Sequence, residues 1–487
     1  NGGWGGAPKF PQAMAMEFLL RYWKRTGESS ALEMVRKTAE KMARGGVYDQ
    51  LGGGFHRYAV DAVWLVPHFE KMLYDNAQLV RVYLHLYQAG RHSGEAAERE
   101  QAEFFRNVAI ETLEYVRREM LDSSGGFYSA QDADSEGEEG KFFVWTPDEV
   151  IEILGEADGK VFNDYYDITP AGNFEGSNIP NREFGVQGGD KMDEARLAEM
   201  RSRLFAARED RIKPFRDEKV LTAWNGMMLA AFAEAAAVLE HDEYREIAKL
   251  NANFMLSELI DETGRVLRTW KDGTAKLNGY IEDYANLADG LIELFQVSGE
   301  ILYLSKAKEL AEAMITEFWD ADDGGFFFTS NDHEELIVRN KDLFDNATPS
   351  GNSVAADVLL RLSKFYGDER FERFGLAALR VAAMQIRRYP QGFGRALAAA
   401  EFDLADVKEV LIVGEPGNEL ERELWSHNLP AKVVVPAGTQ NDGTLPLLEG
   451  REIAGEKATA YVCENFVCQQ PVTGPTELAG LLIGSSL

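Results

Sequence analysis

The sequence is short of cysteine, of basic clusters and of long apolar runs, and each shortage excludes a class of protein. Two cysteines, Cys463 and Cys468, serve 487 residues. That is far too few for a disulfide scaffold and points to a reducing, cytoplasmic setting. Their C-x4-C spacing is not the C-x-x-C of redox and zinc motifs, and no second Cys/His pair accompanies it. Thiols that are buried or at a strand edge are therefore expected. No stretch nears the roughly 20 apolar residues that span a bilayer. Lys and Arg number 51 against 81 Asp and Glu, a net charge of −30 that repels nucleic acid phosphates and anionic membranes. Asn1-Gly2-Gly3-Trp4 is neither a signal peptide nor a translation start, so the chain is expected to be trimmed at its N-terminus. P-loop, dinucleotide fingerprint, G-x-S-x-G and H-E-x-x-H are missing too. Asp132-Ala-Asp134-Ser-Glu136-Gly137 opens like a calcium loop, but Phe143 stands where the bidentate acid belongs. Neither a metal nor an organic cofactor is expected.

What is present is a repeat. Five segments share one plan: a helix of small and apolar residues, a short break, then a more charged amphipathic helix. The first helices are predicted over 12–26, 74–89, 222–239, 282–297 and 350–366; the second over 31–44, 102–121, 244–260, 302–319 and 369–388. Gly226-Met-Met-Leu-Ala-Ala-Phe-Ala is apolar nearly all round, as in a helix buried on both sides, whereas the second helices keep one wet face. A shorter candidate for a sixth hairpin covers 146–167, opening on Thr146-Pro-Asp-Glu with a threonine cap and a proline at the first position. Six hairpins would close an (α/α)6 toroid; an open helical solenoid is the alternative. After about residue 405, β-branched runs at Val410, Lys432 and Thr459 read as strands, with helices over 419–427 and 476–483. The expected division is a toroid over 1–405 and a small α/β region over 406–487.

Polar residues concentrate in the loops before the first helices, which a ring of parallel inner helices would bring to one mouth. Histidine suits proton transfer near neutral pH, so His56 and His68 are the candidate acid and base. Arg57 would stabilise a developing enolate oxygen, and Glu70 lies beside it in sequence. Asp75 and Asp283 are candidate carboxyl catalysts, and Asp75 could pair with Asp283 or Asp345 in glycoside hydrolysis. Trp4, Trp64, Trp145, Trp224 and Tyr284 would offer flat faces to a sugar ring. Asp132, Asp134, Asn225, Glu282, Asp345 and Asn352 would bond its hydroxyls. Helix capping alone is the competing account of the acids and amides at helix starts.

These loops also carry a family resemblance. Gly5-Gly-Ala-Pro-Lys-Phe-Pro, Gly46-Val-Tyr-Asp-Gln-Leu-Gly-Gly-Gly-Phe-His-Arg-Tyr, Trp64-Leu-Val-Pro-His-Phe-Glu-Lys-Met-Leu-Tyr-Asp-Asn, Phe127-Tyr-Ser-Ala-Gln-Asp-Ala-Asp-Ser, Leu221-Thr-Ala-Trp-Asn-Gly and Thr348-Pro-Ser-Gly-Asn-Ser closely resemble the family of spermatogenesis-associated protein 20 and its bacterial relatives. The resemblance spans the chain. It implies a thioredoxin-like domain ahead of this helical part, and a helical part similar to the six-hairpin toroids of glycosidases and N-acylglucosamine 2-epimerase. Three functions follow as expectations: a sugar epimerase or isomerase, a glycoside hydrolase using two carboxylates, or a binding module serving the thioredoxin-like domain. In each a small polyhydroxylated ligand is the expected partner.

Overall fold

The computed structural model describes residues 1–185, 194–333, 338–440 and 443–483. Its helices, in chain order, are α1 (Ala13–Thr26), α2 (Ser29–Arg44), α3 (Leu73–Gly90), α4 (Ala96–Tyr115), α5 (Pro147–Leu154), α6 (Glu156–Tyr165), α7 (Glu194–Glu209), α8 (Thr222–Val238), α9 (Asp242–Glu258), α10 (Ile281–Ser298), α11 (Ile301–Glu317), α12 (Gly351–Tyr366), α13 (Glu369–Arg388), α14 (Gly394–Leu404), α15 (Glu419–Ser426) and α16 (Pro475–Ile483). The small and apolar helices α1, α3, α8, α10, α12 and α14 pack each on the next, and α14 returns to α1. The ring closes, and α2, α4, α9, α11 and α13 lie outside it.

The sixth inner helix is α14, which corrects the expectation placed on 146–167. There the Thr146 capping box forms as predicted, with Glu149 N donating to Thr146 Oγ1 and Thr146 N to Glu149 Oε2. But α5, α6 and α7 gather around their own apolar cluster of Trp145, Val150, Phe162 and Tyr166. α14 escapes a periodicity search because it is short and follows a Pro/Gly break. It runs parallel to α1: a side chain on Gly394 would collide with Met14 at one end, and at the other Arg25 Nη2 lies 2.9 Å from Glu401 Oε1.

The closest crossing in the ring is α8 on α10. A Cβ on Gly226 would meet Asn286 O at 2.4 Å, and one on Gly290 would meet Gly226 O at 2.6 Å. Backbone cannot yield as a side-chain tip can, so Gly226→Ala should cost about 1–3 kcal/mol by overpacking, read as a lower urea midpoint.

A second device recurs at the ring's rim. In α3, α8 and α12 an asparagine near the helix start grips the backbone of a Gly-Gly-Phe turn. Phe55 N donates to Asn76 Oδ1 (2.7 Å) and Asn76 Nδ2 to Phe55 O (3.1 Å). Asn225 holds Phe127 in the same way at 2.8 and 3.0 Å, and Asn352 holds Phe326 at 2.7 and 2.8 Å. Each amide replaces a peptide partner that the buried turn would otherwise lack. The inner helices therefore all begin at one face, with their loops fixed above it.

The far face is covered by the residues after α14. Strand Lys408–Val413 pairs in parallel with Lys432–Val435 and antiparallel with Thr459–Glu464, which pairs antiparallel with Val467–Cys468. Cys463 and Cys468 stand opposite each other in that last pair and form a disulfide, correcting the expectation of free thiols. Residues 484–487 lie outside the described residues. Among the described residues no helix is long and apolar enough to cross a membrane.

Candidate active site

At the near face a cavity of about 300 Å³ opens between the loops. Its walls include Arg57, Tyr74, Asp75, Gln78 and Asp345, with Gln12 from the approach to α1. Of the residues predicted from sequence, Arg57, Asp75 and Asp345 meet here. Arg57 Nη1 lies 3.0 Å from Glu70 Oε2, so Glu70 acts on the cavity through Arg57. Trp224 stands edge to face with Tyr74, ring centroids 4.8 Å apart, but does not itself line the cavity.

The cavity is rich in unsatisfied acceptors. Among the described residues, Asp75 Oδ2, Gln78 Oε1 and Gln12 Oε1 are buried without a hydrogen-bond partner. Gln78 spends its amide hydrogens on Tyr74 O (3.1 Å) and Ala347 O (3.0 Å), which fixes its oxygen in place. Burial pushes the Asp75 carboxyl well above the usual carboxylate range, and the Arg57 guanidinium only partly opposes this. Burial also raises Asp345, to about 6, against backbone donors Ser350 N (2.9 Å) and Arg395 N (2.8 Å).

Several predicted residues lie elsewhere. The His56 ring is buried edge-on against Phe69 and Phe143, and its Nδ1 is 2.7 Å from Phe69 O. Burial, reinforced by the Lys71 charge, lowers it to about 3. His68 is partly exposed, stacks on Tyr58, and its Nδ1 is 2.7 Å from Glu139 Oε1. Neither lines the cavity, which corrects the two-histidine scheme. Asp283 accepts from Ala223 N (3.1 Å), Tyr280 N (2.9 Å) and Arg268 Nη1 (3.2 Å), tying α8 to α10. Although burial raises it to about 7, its oxygens are already occupied, which corrects its catalytic assignment. Glu282 pairs with Arg268 at 2.8 Å.

The expected stacking and hydroxyl contacts need correction as well. Trp64 is buried beneath Lys9 and Trp145 beneath Arg211, so neither presents a face to a ligand. Tyr284 is buried, and its hydroxyl accepts from Val266 N at 3.1 Å. Asn225 and Asn352 are buried rim fasteners. Asp132 and Asp134 are exposed and outside the cavity wall, and Trp4 is half-buried against the core.

Sequence reasoning missed the deeper layer. Below the cavity, inside the ring, lie Glu17 and Arg21 of α1, Arg81 and His85 of α3, Glu234 of α8, Asp289 and Glu293 of α10, Asp357 and Arg361 of α12, and Arg395 of α14. Arg81 reaches Glu234 (2.8 Å) and Glu293 (3.0 Å), Arg361 reaches Asp289 and Glu293 (both 2.9 Å), and Arg395 reaches Asp357 (2.8 Å). The signal was one polar residue per turn in otherwise apolar helices, as in Tyr74, Gln78, Arg81 and His85.

Fold and site together define a six-hairpin toroid with a polar cavity at the N-terminal ends of its inner helices. The chain belongs to the spermatogenesis-associated protein 20 family. The Homo sapiens member is 35% identical, in a match covering 99% of this chain and 67% of that protein. An uncharacterized protein of Caenorhabditis elegans is 29% identical over 99% of this chain and 71% of its own. This chain thus spans about two thirds of the length of the human relative. No family model matches. Among solved structures, a D-mannose isomerase superposes with a TM-score of 0.50 at 12% identity, covering 79% of this chain and 81% of that one. That likeness is one of fold.

Proposed function

We propose that the cavity binds a sugar-type ligand, and that Asp75 moves the proton in an epimerase- or isomerase-like reaction. The observation that supports this is the set of three buried acceptors, Gln12 Oε1, Asp75 Oδ2 and Gln78 Oε1, on one cavity wall. Buried acceptors left unpaired each cost about 1–3 kcal/mol, and sugar hydroxyls supply donors for them. The Tyr74 ring on the cavity wall suits the C–H face of a sugar ring. Asp75 is the chemically poised member: a carboxyl raised by burial is a better acid partner when protonated and a stronger base than usual when ionised. Arg57, restrained by Glu70, stands ready for negative charge developing on a carbonyl oxygen.

The test is proton NMR in D2O with reducing mono- and disaccharides. Loss of a C2 proton signal, slowed about 10²–10⁴-fold in Asp75→Asn, is the expected result. Full activity of Asp75→Asn would overturn the assignment. The raised Asp345 on the same cavity favours a second reading, hydrolysis by the pair Asp75 and Asp345; new anomeric signals would establish it. Unchanged spectra with bound sugar would leave a binding module.

A further inference from the structure

Resting on the carbohydrate reading of the cavity, we infer that the toroid is a blind cup that admits one uncharged sugar unit, free or at a chain end. The interior of a polysaccharide is excluded. Three observations lead there.

The first is depth. The cavity of about 300 Å³ narrows within a turn or two of helix to a void of about 60 Å³ beside Glu17, Arg81 and Arg395. The upper volume sits at the small end of the roughly 300–1,000 Å³ range of ligand pockets. The lower one holds a few waters, not a second ring.

The second is the floor. Arg81, Arg361 and Arg395 are held by Glu234, Asp289, Glu293 and Asp357, while His85 lies between Glu17 (2.6 Å) and Glu234 (2.8 Å). Opening such a layer strands buried charge, which costs about 3–5 kcal/mol per broken pair. A ligand therefore meets a rigid floor. Its arginines are already ion-paired, so a carboxylate or phosphate on the ligand competes with acids that hold them.

The third is the narrow base. Behind the floor the void shrinks to about 30 Å³, and Asn428, Leu429, Pro430 and Lys432 close it. Gln88 Nε2 donates to Trp425 O (2.8 Å), and Val434 N to Gln296 Oε1 (3.0 Å). A cavity of about 420 Å³ on the far side shares Arg21, Leu429 and Pro430 with this void, which at about 30 Å³ is too small to pass a sugar ring, so a chain cannot thread the ring.

Saturation-transfer NMR and calorimetry on the full chain test this, with glucose and mannose, their β-1,4-linked oligomers up to the tetramer, and glucuronate. Transfer should be confined to one terminal ring, and Kd should change by less than about threefold from dimer to tetramer. Glucuronate should bind at least about tenfold more weakly than glucose. A tenfold or larger gain with length, or transfer along every ring, overturns the blind cup and leaves the carbohydrate reading intact. Tighter binding of glucuronate overturns the neutral floor. Binding of no sugar at all overturns the carbohydrate reading, and the inference with it.

Discussion

Asp49→Ala is expected to lower the unfolding free energy by about 3–5 kcal/mol, because it strands two cations in the core. Asp49 Oδ2 lies 2.9 Å from Lys71 Nζ and Oδ1 lies 2.8 Å from Arg208 Nη1, and all three side chains are almost wholly buried. Lys71 also donates to Gly53 O (2.8 Å) and stands over the Tyr115 ring at 4.2 Å. Burial lowers Lys71 to about 8 even with Asp49 beside it. Without that carboxylate the ammonium would give up its proton or draw in water. The triad ties α7, outside the ring, to the loop that leads into Arg57 and to the strand that leads into Tyr74 and Asp75. Lys71→Met should cost less than Asp49→Ala, since it leaves Asp49 paired with Arg208 and fills the aromatic niche with an apolar chain. Urea unfolding checks both. A loss under about 1 kcal/mol for Asp49→Ala, the value of an exposed pair, would show that the triad is not a buried clamp.

The sequence discloses the ring more readily than it discloses the site. Helices buried on every side, such as Gly226-Met-Met-Leu-Ala-Ala-Phe-Ala, carry their location in composition, and five inner helices are legible for that reason. α14 is not, because eleven residues after a Pro/Gly break give too few turns for periodicity to register. The loop motifs correctly point to the mouth of the ring but mislead about which side chains enter it. Asparagine and aspartate serve equally as ligand contacts and as backbone fasteners, and only coordinates separate Asp75, with a free oxygen, from Asp283, with none. Histidine drew attention as a proton carrier, yet His56 is part of an aromatic core. Arg81, His85 and Glu234 lie inside helices that read as structural, although a charged residue in a helix buried all round must meet a partner across the ring.

That requirement makes His85 the source of the largest expected pH effect. Burial alone would lower its pKa, but Glu17 and Glu234 on the flanking helices, one at each ring nitrogen, raise it to about 9. Both nitrogens must donate, so the ring is an imidazolium. Arg21, 2.8 Å from Glu17, Arg81, which shares Glu234, and the buried Lys432 are the cations nearest this pair of acids. A folded-state value above the unfolded 6.5 means stability that is complete below pH 6.5 and lost as pH rises through 9. The loss amounts to about 3 kcal/mol for a shift of this size. Lys71 titrates in the opposite sense, since its folded value near 8 lies below its unfolded one and adds stability as pH rises from there. Its contribution is common to both proteins and cancels when His85→Gln is compared with the parent. The stability difference between them, measured by urea unfolding at pH 6 and pH 9.5, should shrink by about 3 kcal/mol. A difference that stays flat would mean that His85 is neutral in the fold.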